Sequence, residues 1–552
     1  MNRRLTSAVF LFLSLALSCC RTMDKTAGTK SFEEIDYTAS DSAQTEADRI
    51  RLILDSEENV RALWRAKLLV QNNDCDISRE ILSLCEEAVV GEYKTALEEE
   101  DSMTALRCFS SLEACSYAGL SSLSVQKAEL TAQSVQNVPG LKKSLASQQK
   151  VSSYIRGTVT VYVDKGFKVS HGMGVQDATL GSGFFISEDG YIVTNHHVIS
   201  DVVDPAYEGF SRLYIKLADD PDTRIPAKVV GWDSVLDLAL LKTEVTAPYV
   251  FSLGSSSDLD VGDRVYAIGS PLGLDRTLTS GIISATDRRL FTEGVVFQID
   301  AAVNSGNSGG PLIDEAGRVQ AVVFAGVENY QGLNFAIPVE YLRNELPILF
   351  AGGKRTHPWI GAYGRTNRLS GASAKNNGVL VQYVMPGGSA YRAGIRPDDI
   401  IEAVDGTVIS SLDDLQNKFM QMQSGVVCRV RVRNTEDEKK TVLVYLDERP
   451  SSPGYEIYQT DIIEHSLLPI FGMELLRSSA SNKKMYTVTK VLKASSADDT
   501  SFSEGDPVQI LGIEFDKTKS YIYVTLYTQR RKNGWLEMSL QLASSLDSAY
   551  YF

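Results

Sequence analysis

Residues Asn304 to Leu312 read NSGNSGGPL, a serine enclosed by glycines. A serine hydroxyl attacks poorly at its free pKa, so a nucleophilic serine needs a base and donors for the developing oxyanion. Ser308 is the candidate nucleophile. The backbone around Gly306, Asn307 and Ser308 is the candidate oxyanion hole, with the N–H groups of Gly306 and Ser308 as its natural donors. The flanking glycines let this backbone take unusual torsion angles and approach a substrate closely. Upstream, TNHHVIS (Thr194 to Ser200) sets two of the chain's five histidines side by side. In an extended segment adjacent side chains point opposite ways, so one site recruits one of them. Between histidines and serine lies WDSVLDLALLK. Asp237 leads directly into its apolar run, as a buried carboxylate orienting an imidazole should; Asp233, after Trp232 in a polar turn, is the competing candidate. GNSGG also satisfies G-x-S-x-G, but that elbow joins a strand to a helix and has its acid and histidine downstream. Here Pro311 and a β-type run follow, and the only later histidines are His357 and His465.

The elements that must position these groups read as strands. Thr158–Val163, Gly183–Ile186, Tyr191–Thr194, Leu213–Leu217 and Ala239–Lys242 form one series of short β-type runs. Arg264–Ile268, Gly281–Ala285, Gly294–Ile299, Val319–Val323 and Asn334–Ile337 form a second. Many short strands without intervening helices suggest a sandwich or barrel. The order His, Asp, Ser is that of a chymotrypsin-like double barrel, with His and Asp in the first half and Ser in the second. VEYLRNELPILF, after Pro338, reads as a short amphipathic helix.

The flanks differ in character. From Gln44 to Leu120 the pattern is helical, with Val60, Leu63, Trp64, Leu68 and Leu69 on one face. EYKTALEEEDSMTALRCFSSLEA reads as two helices joined at Glu99–Asp101. The role expected of this region is an interaction or spacer module, the alternative being a helical cap on the neighbouring β region. Downstream, PWIGAYGR with GVLVQYVMPGGSAYRAGIRPDDIIEAVDG, and PIFGMELLR with MYTVTKVLKASSADDTSFSEGDPVQILG, share an internal pattern that reads as a diverged duplication.

At 552 residues the chain should hold several domains. A formal net charge of -15 sets nucleic-acid binding aside, since that needs a basic footprint. Arg3 and Arg4 precede an apolar run, Ala8 to Leu17, too short to span a bilayer and shaped like a secretory leader. LALSCC resembles a bacterial lipobox, with Cys19 as the favoured lipid acceptor and Cys20 as the other. Of the remaining cysteines, a disulfide among Cys75, Cys85, Cys108 and Cys115 is compatible with export. Their spacing, with Cys428, matches no zinc pattern.

GSGFFISEDGYIVTNHHVI, DLALLK and IDAAVNSGNSGGPL resemble the three signature blocks of the HtrA/Deg family of trypsin-fold serine proteases. The likeness spans Thr158 to Phe350, and the duplicated segments resemble that family's PDZ domains, the second more weakly. In this resemblance T-N-x-H-V places the general base at His197 and leaves His196 variable. It implies a multidomain chain: a lipoprotein-type leader (1–19), an α-helical region (40–135), a linker (136–154) and an all-β trypsin-like double barrel (155–350). Two PDZ-like α+β domains (356–448 and 455–545, the second diverged) would complete it. Trp359, Ile360, Gly361 and Ala362 resemble the loop that receives a peptide's terminal carboxylate. Ser411–Asp414 would cap a helix whose Leu415 and Phe419 line that groove or pack in the core. Phe471–Gly472 keeps the loop pattern and Met473 onward departs from it. Ala302, six positions before the serine, and apolar stretches at Phe324–Val327 and Leu333–Phe335 imply cleavage after small or medium aliphatic residues. The expected partners are unfolded exported polypeptides, C-terminal peptides, further copies of the chain and, through the anchor, a membrane facing the periplasm of a bacterial envelope; no metal or other cofactor is implied. A peptide-binding or chaperone-like scaffold with little proteolysis is the alternative.

Overall fold

The computed structural model describes residues 40–141, 150–170, 173–205, 207–269, 277–288, 294–303, 306–326, 333–368, 376–478, 485–531 and 535–552. The leader and the lipid acceptor at Cys19 or Cys20 lie outside the described residues.

Five helices open the described chain: Ser40–Asp55, Asn59–Asn72, Asp76–Glu98, Ser102–Ala114 and Lys127–Gln136. The expected break falls between the third and fourth, where the Asp101 carboxylate accepts from the N–H groups of Met103 and Thr104 and so caps the fourth helix. Their apolar faces close on Leu63, Leu69, Ile81 and Leu112, and the same core takes in Val427, Leu443 and Tyr445 from far along the chain. Trp64 donates its indole N–H to the Leu443 carbonyl at 2.9 Å and stacks on Tyr445 at 5.7 Å. Arg429 reaches back to the carbonyls of Glu113 and Ala114. The helical region is thus a layer on the first duplicated segment, not a cap on the β strands next to it in sequence. Cys85, Cys108 and Cys115 sit in this core as free thiols, pushed up to about 12 by burial. No disulfide links the five described cysteines.

Two β halves come next. Thr158–Ser170, Met173–Phe185, Tyr191–Thr194, Arg212–Lys216, Ile225–Pro226, Lys228–Asp233 and Leu238–Lys242 form one sheet, joined at its edge by Gly353–Lys354. The second half closes into a six-stranded barrel from Arg264–Gly269, Thr277–Arg288, Val296–Ile299, Pro311–Ile313, Val319–Gly326 and Asn334–Pro338. Strand neighbours send successive side chains to opposite faces. Phe185, Ile192 and Leu241 fill the first half's own core. Phe184, Val193 and Leu240 meet Ile268, Val322 and the helix Val339–Ala351 in a core shared by both halves. Because both faces are buried, LALL reads as a continuous apolar run rather than an alternation. Part of the expected linker is helical, Val151–Gly157.

The duplicated segments repeat at the level of single hydrogen bonds. Gly361 and Gly472 both take positive φ, 78° and 81°. The carbonyl of Gly361 accepts from Met385 N–H at 2.7 Å, and that of Gly472 from Leu492 N–H at 2.7 Å. The first segment carries the helix Leu412–Met420, whose Ser411 and Asp414 form the expected capping box. In the second, Pro507–Phe515 passes to Tyr521–Arg531 as a hairpin, and no helix stands in that place.

Replacing Trp64 by Ala removes a stacked ring and a buried N–H bond together, and should cost about 3–5 kcal/mol. Hydrogen exchange in Asn59–Asn72 and Lys439–Tyr445 should rise together. Unchanged protection in both would contradict a single packed layer.

Candidate active site

The strand pairing explains how residues forty positions apart meet. Tyr191–Thr194 and Leu238–Lys242 are antiparallel neighbours with Thr194 opposite Ala239, so the chain leaving one strand and the chain entering the other emerge at the same end. There the imidazole Nδ1 of His197 lies 2.7 Å from Asp237 Oδ2. Asp237 Oδ1 also accepts the backbone N–H of His197 at 2.8 Å. One carboxylate therefore fixes both the ring and the peptide of the same residue. With Asp237 accepting at Nδ1–H, the Nε2 atom is left to act as base, the tautomer that a hydroxyl nucleophile requires.

The histidine pair is not extended. His196–Val203 is a helix with Asn195 at its N-cap position, so the two side chains diverge by a helical rather than a strand angle. His196 is half-buried, and burial holds its imidazole below the usual value against the attraction of Asp237. Asn195, fully buried, donates its side-chain amide to the Asp237 carbonyl at 2.8 Å. That bond holds Asp237 in its positive-φ conformation of 55°, a strain the surroundings must sustain.

The Ser308 loop is held by the first half. Ser182 donates its N–H to the Ser308 carbonyl at 2.7 Å and its hydroxyl to the Gly306 carbonyl at 2.6 Å. A Cβ on Gly309 would lie 2.2 Å from the Ser182 carbonyl, and φ there is 85°, so only glycine lets the loop dock. The backbone N–H groups of Gly306, Asn307 and Ser308 donate to no described residue. The Ser308 hydroxyl itself donates to the Phe324 carbonyl at 3.1 Å. Among the described residues no hydrogen bond joins it to His197. The acid–base pair is assembled, and the serine is parked one rotamer or loop adjustment away; catalytic hydrogen bonds often tighten only with substrate bound. Phe324 and Phe335 are buried and pack at 6.4 Å in the shared core, whereas Ala302 is exposed. Val327 of the expected pocket wall lies outside the described residues.

Asp233, the competing acid, is engaged elsewhere. Both its oxygens lie 2.9 Å from His357 Nε2, and both side chains are buried. Its Oδ1 also accepts from the N–H groups of Val235 and Leu236, tying the turn that ends at Asp237. Burial works against the Asp233 charge, but His357 and those amides outweigh it and hold the carboxyl below the usual range. Beside it Arg355 pairs with Glu345 at 2.9 Å, both buried, and donates to the carbonyls of Met420 and Met422. Sequence reasoning missed Ser182, Asn195 and His357. The first two stand inside recognisable blocks as polar residues in apolar surroundings, which was the available signal; His357 left none. Among the described residues no cluster of His, Cys, Asp or Glu could hold a metal ion, and no helix is long and apolar enough to cross a membrane.

Family models match four stretches: a trypsin-like peptidase domain at 181–322, a PDZ domain at 380–434, a TP0546 family PDZ domain at 454–546 and a domain of unknown function at 41–134. A Brucella suis protein named "Probable periplasmic serine endoprotease DegP-like" is 32% identical over 385 residues, 67% of this chain and 72% of that protein. A protein of the same name from Pseudomonas fulva is 35% identical over 287 residues, 50% of this chain and 58% of its own length. The chain thus spans about three-fifths of the Pseudomonas protein. A solved HtrA-type protease, AlgW with decapeptide, aligns over 54% of this chain and 98% of its own at 28% identity and a TM-score of 0.46.

His357→Ala would strand the Asp233 carboxylate in a dry site and should destabilise the chain by about 3–5 kcal/mol. Because Asp233 sets the turn that carries Asp237, kcat should fall with KM little changed; a loss confined to KM would separate the two. The Asp233 carboxyl titrates below its ordinary value of 3.8, so its contribution to stability is present above that pH and lost as pH falls through the depressed folded value.

Proposed function

The chain belongs to the HtrA/Deg family of serine proteases, and from that premise we propose that it is an exported endopeptidase that cleaves unfolded polypeptides by acyl transfer. Ser308 is the nucleophile, His197 takes its proton and returns it to the leaving amine, and Asp237 orients the imidazole and stabilises its protonated form. The N–H groups of Gly306 and Ser308, with Asn307 between them, receive the oxyanion. The observation that carries this reading is the doubled bond from Asp237 to the ring and backbone of His197, a geometry with no purpose in packing at a ring about half exposed.

The relatives' names support a periplasmic location. A lipid on Cys19 or Cys20 and assembly into oligomers complete the proposal, which takes the boundaries 155–350, 356–448 and 455–545 for the protease and the two PDZ-like domains. The first of these PDZ-like domains, through Trp359, Ile360, Gly361 and Ala362, would take C-terminal peptides. The pocket implied by Ala302 and the apolar strands would favour small or medium aliphatic side chains. A second reading, a peptide-binding scaffold with little proteolysis, draws on the Ser308 hydroxyl being bonded to Phe324 rather than to His197.

Degradation of an unfolded model protein such as casein separates them. Ser308→Ala should abolish cleavage, and Asp237→Asn should lower kcat by about 10⁴. Cut sites should follow aliphatic residues; cleavage mainly after arginine would discard the pocket assignment. Absence of cleavage by the wild-type chain, with a C-terminal peptide added, would favour the scaffold.

A further inference from the structure

The groove of the first PDZ-like domain is already filled in this structure, by the chain's own residues 550–552. Phe552 exchanges two backbone hydrogen bonds with Ala362, its N–H donating to the Ala362 carbonyl and its carbonyl accepting from the Ala362 N–H, both at 3.0 Å. Two residues along, Gly364 N–H donates to the Tyr550 carbonyl at 3.1 Å. Tyr363 and Tyr551 pair as an antiparallel bridge. The segment is therefore one more strand on the open edge of Ala362–Arg368, the way an extended peptide is taken up by strand addition.

The side chains obey the same logic. The Phe552 ring is 3% exposed and belongs to the core cluster of Ile360, Leu415 and Phe419, the residues in question as groove lining. A Cβ on Gly364 would come within 3.2 Å of the ring. The Gln416 side-chain amide, from the facing helix, donates to the Ala549 carbonyl. Tyr550 lies under the guanidinium of Arg365, 4.6 Å from the ring centre. Tyr551 points the other way. It is buried between the two PDZ-like domains with Trp359, Tyr363, Leu468 and Leu492, and its hydroxyl donates to the Pro469 carbonyl at 3.1 Å. Leu415 and Phe419 are thus both core and groove.

We propose that residues Tyr550–Phe552 are a resident ligand of the first PDZ-like groove, and that an incoming peptide ending in an aromatic residue binds only by displacing them. This rests on the reading of that domain as a peptide-binding module. Occupation by the chain's own segment lowers the apparent affinity for any competitor by the fraction of chains whose groove is open. The same displacement withdraws Tyr551 from the seam, so capture of a peptide loosens the second domain from the first.

The experiment uses the full chain carrying Ser308→Ala, and a fluorescein-labelled decapeptide ending in Tyr-Tyr-Phe with a free carboxylate, read by fluorescence anisotropy. Removing residues 550–552 should tighten the apparent Kd at least tenfold. Phe552→Ala, which leaves Tyr551 in the seam, should tighten it about threefold or more while the thermal transition stays in place. A second substitution, Leu415→Glu, should abolish binding in the shortened chain. In the intact chain the Ala362 and Gly364 amides should be protected from hydrogen exchange, and in the shortened one exposed. Equal affinity in all chains, or no binding by any, overturns the proposal. Casein cleavage, measured separately with Ser308 intact, tests the protease reading: its failure with the tightening observed leaves the groove assignment standing, and the reverse result leaves the protease standing.

Discussion

The active arrangement depends on Ser182, a buried serine on the strand Met173–Phe185 that holds the two β halves in register. Its N–H and hydroxyl engage the carbonyls of Ser308 and Gly306, and its own carbonyl accepts the Thr194 hydroxyl at 2.7 Å. Thr194 ends the strand from which the His197 helix departs. Three hydrogen bonds thus run from the serine loop of one half to the histidine helix of the other through a single residue. Each is buried, and a buried donor or acceptor left without its partner costs about 1–3 kcal/mol. The loop's glycines are a consequence of this seam: Gly309 is pressed against Ser182 and Thr194, and Gly310 against the Ile268 carbonyl. Larger residues would push the halves apart and take Ser308 away from His197.

Legibility in the sequence divides along physical lines. The strands Tyr191–Thr194 and Arg264–Gly269 were legible because alternation, turn residues and buried apolar runs are local signals. The acid and base were legible because Asp237 sits at the entrance to an apolar strand and His197 lies in a recognisable block. The conformation of that block was not: TNHHVIS looks extended by its Val and Ile, yet Asn195 opens a helix at His196, where the next element rather than local propensity decides. Trp64 against Leu443 and His357 against Asp233 were illegible for another reason. Each joins residues more than a hundred positions apart, and neither partner carries a pattern announcing the other.

The two duplicated segments show what a shared loop retains and what a lost helix removes. Gly361 and Gly472 keep the same left-handed turn and the same bond from the next strand. A peptide groove, however, needs two walls, an open strand edge and a facing helix. The first segment has Ala362–Arg368 and Leu412–Met420; the second has Met473–Arg477 and a hairpin. Its own surface is used instead as a wall against the first segment, with Leu468 and Leu492 closing over Tyr551. Divergence of sequence after Met473 thus goes with a change from binding domain to packing partner.

The groove and the catalytic turn share a support. Arg355 donates its backbone N–H to the Trp232 carbonyl at 2.8 Å, and its side chain to the carbonyls that end the groove helix, those of Met420 and Met422. Two residues on, His357 holds Asp233; two further, Trp359 begins the loop that borders the groove and packs in the cluster that includes Tyr551. This short run, from Arg355 to Trp359, therefore touches the turn preceding Asp237, the end of the groove helix and the contact between the PDZ-like domains. All of Arg355, His357 and Trp359 are buried, and close-packed interiors shift between discrete arrangements rather than yielding continuously. A rotation of the first PDZ-like domain must either carry the Asp233 turn with it or break the His357 and Arg355 bonds, which would leave charge unpaired in a dry site. The position of the peptide-binding domain and the orientation of Asp237 are, for that reason, not independent variables of this fold.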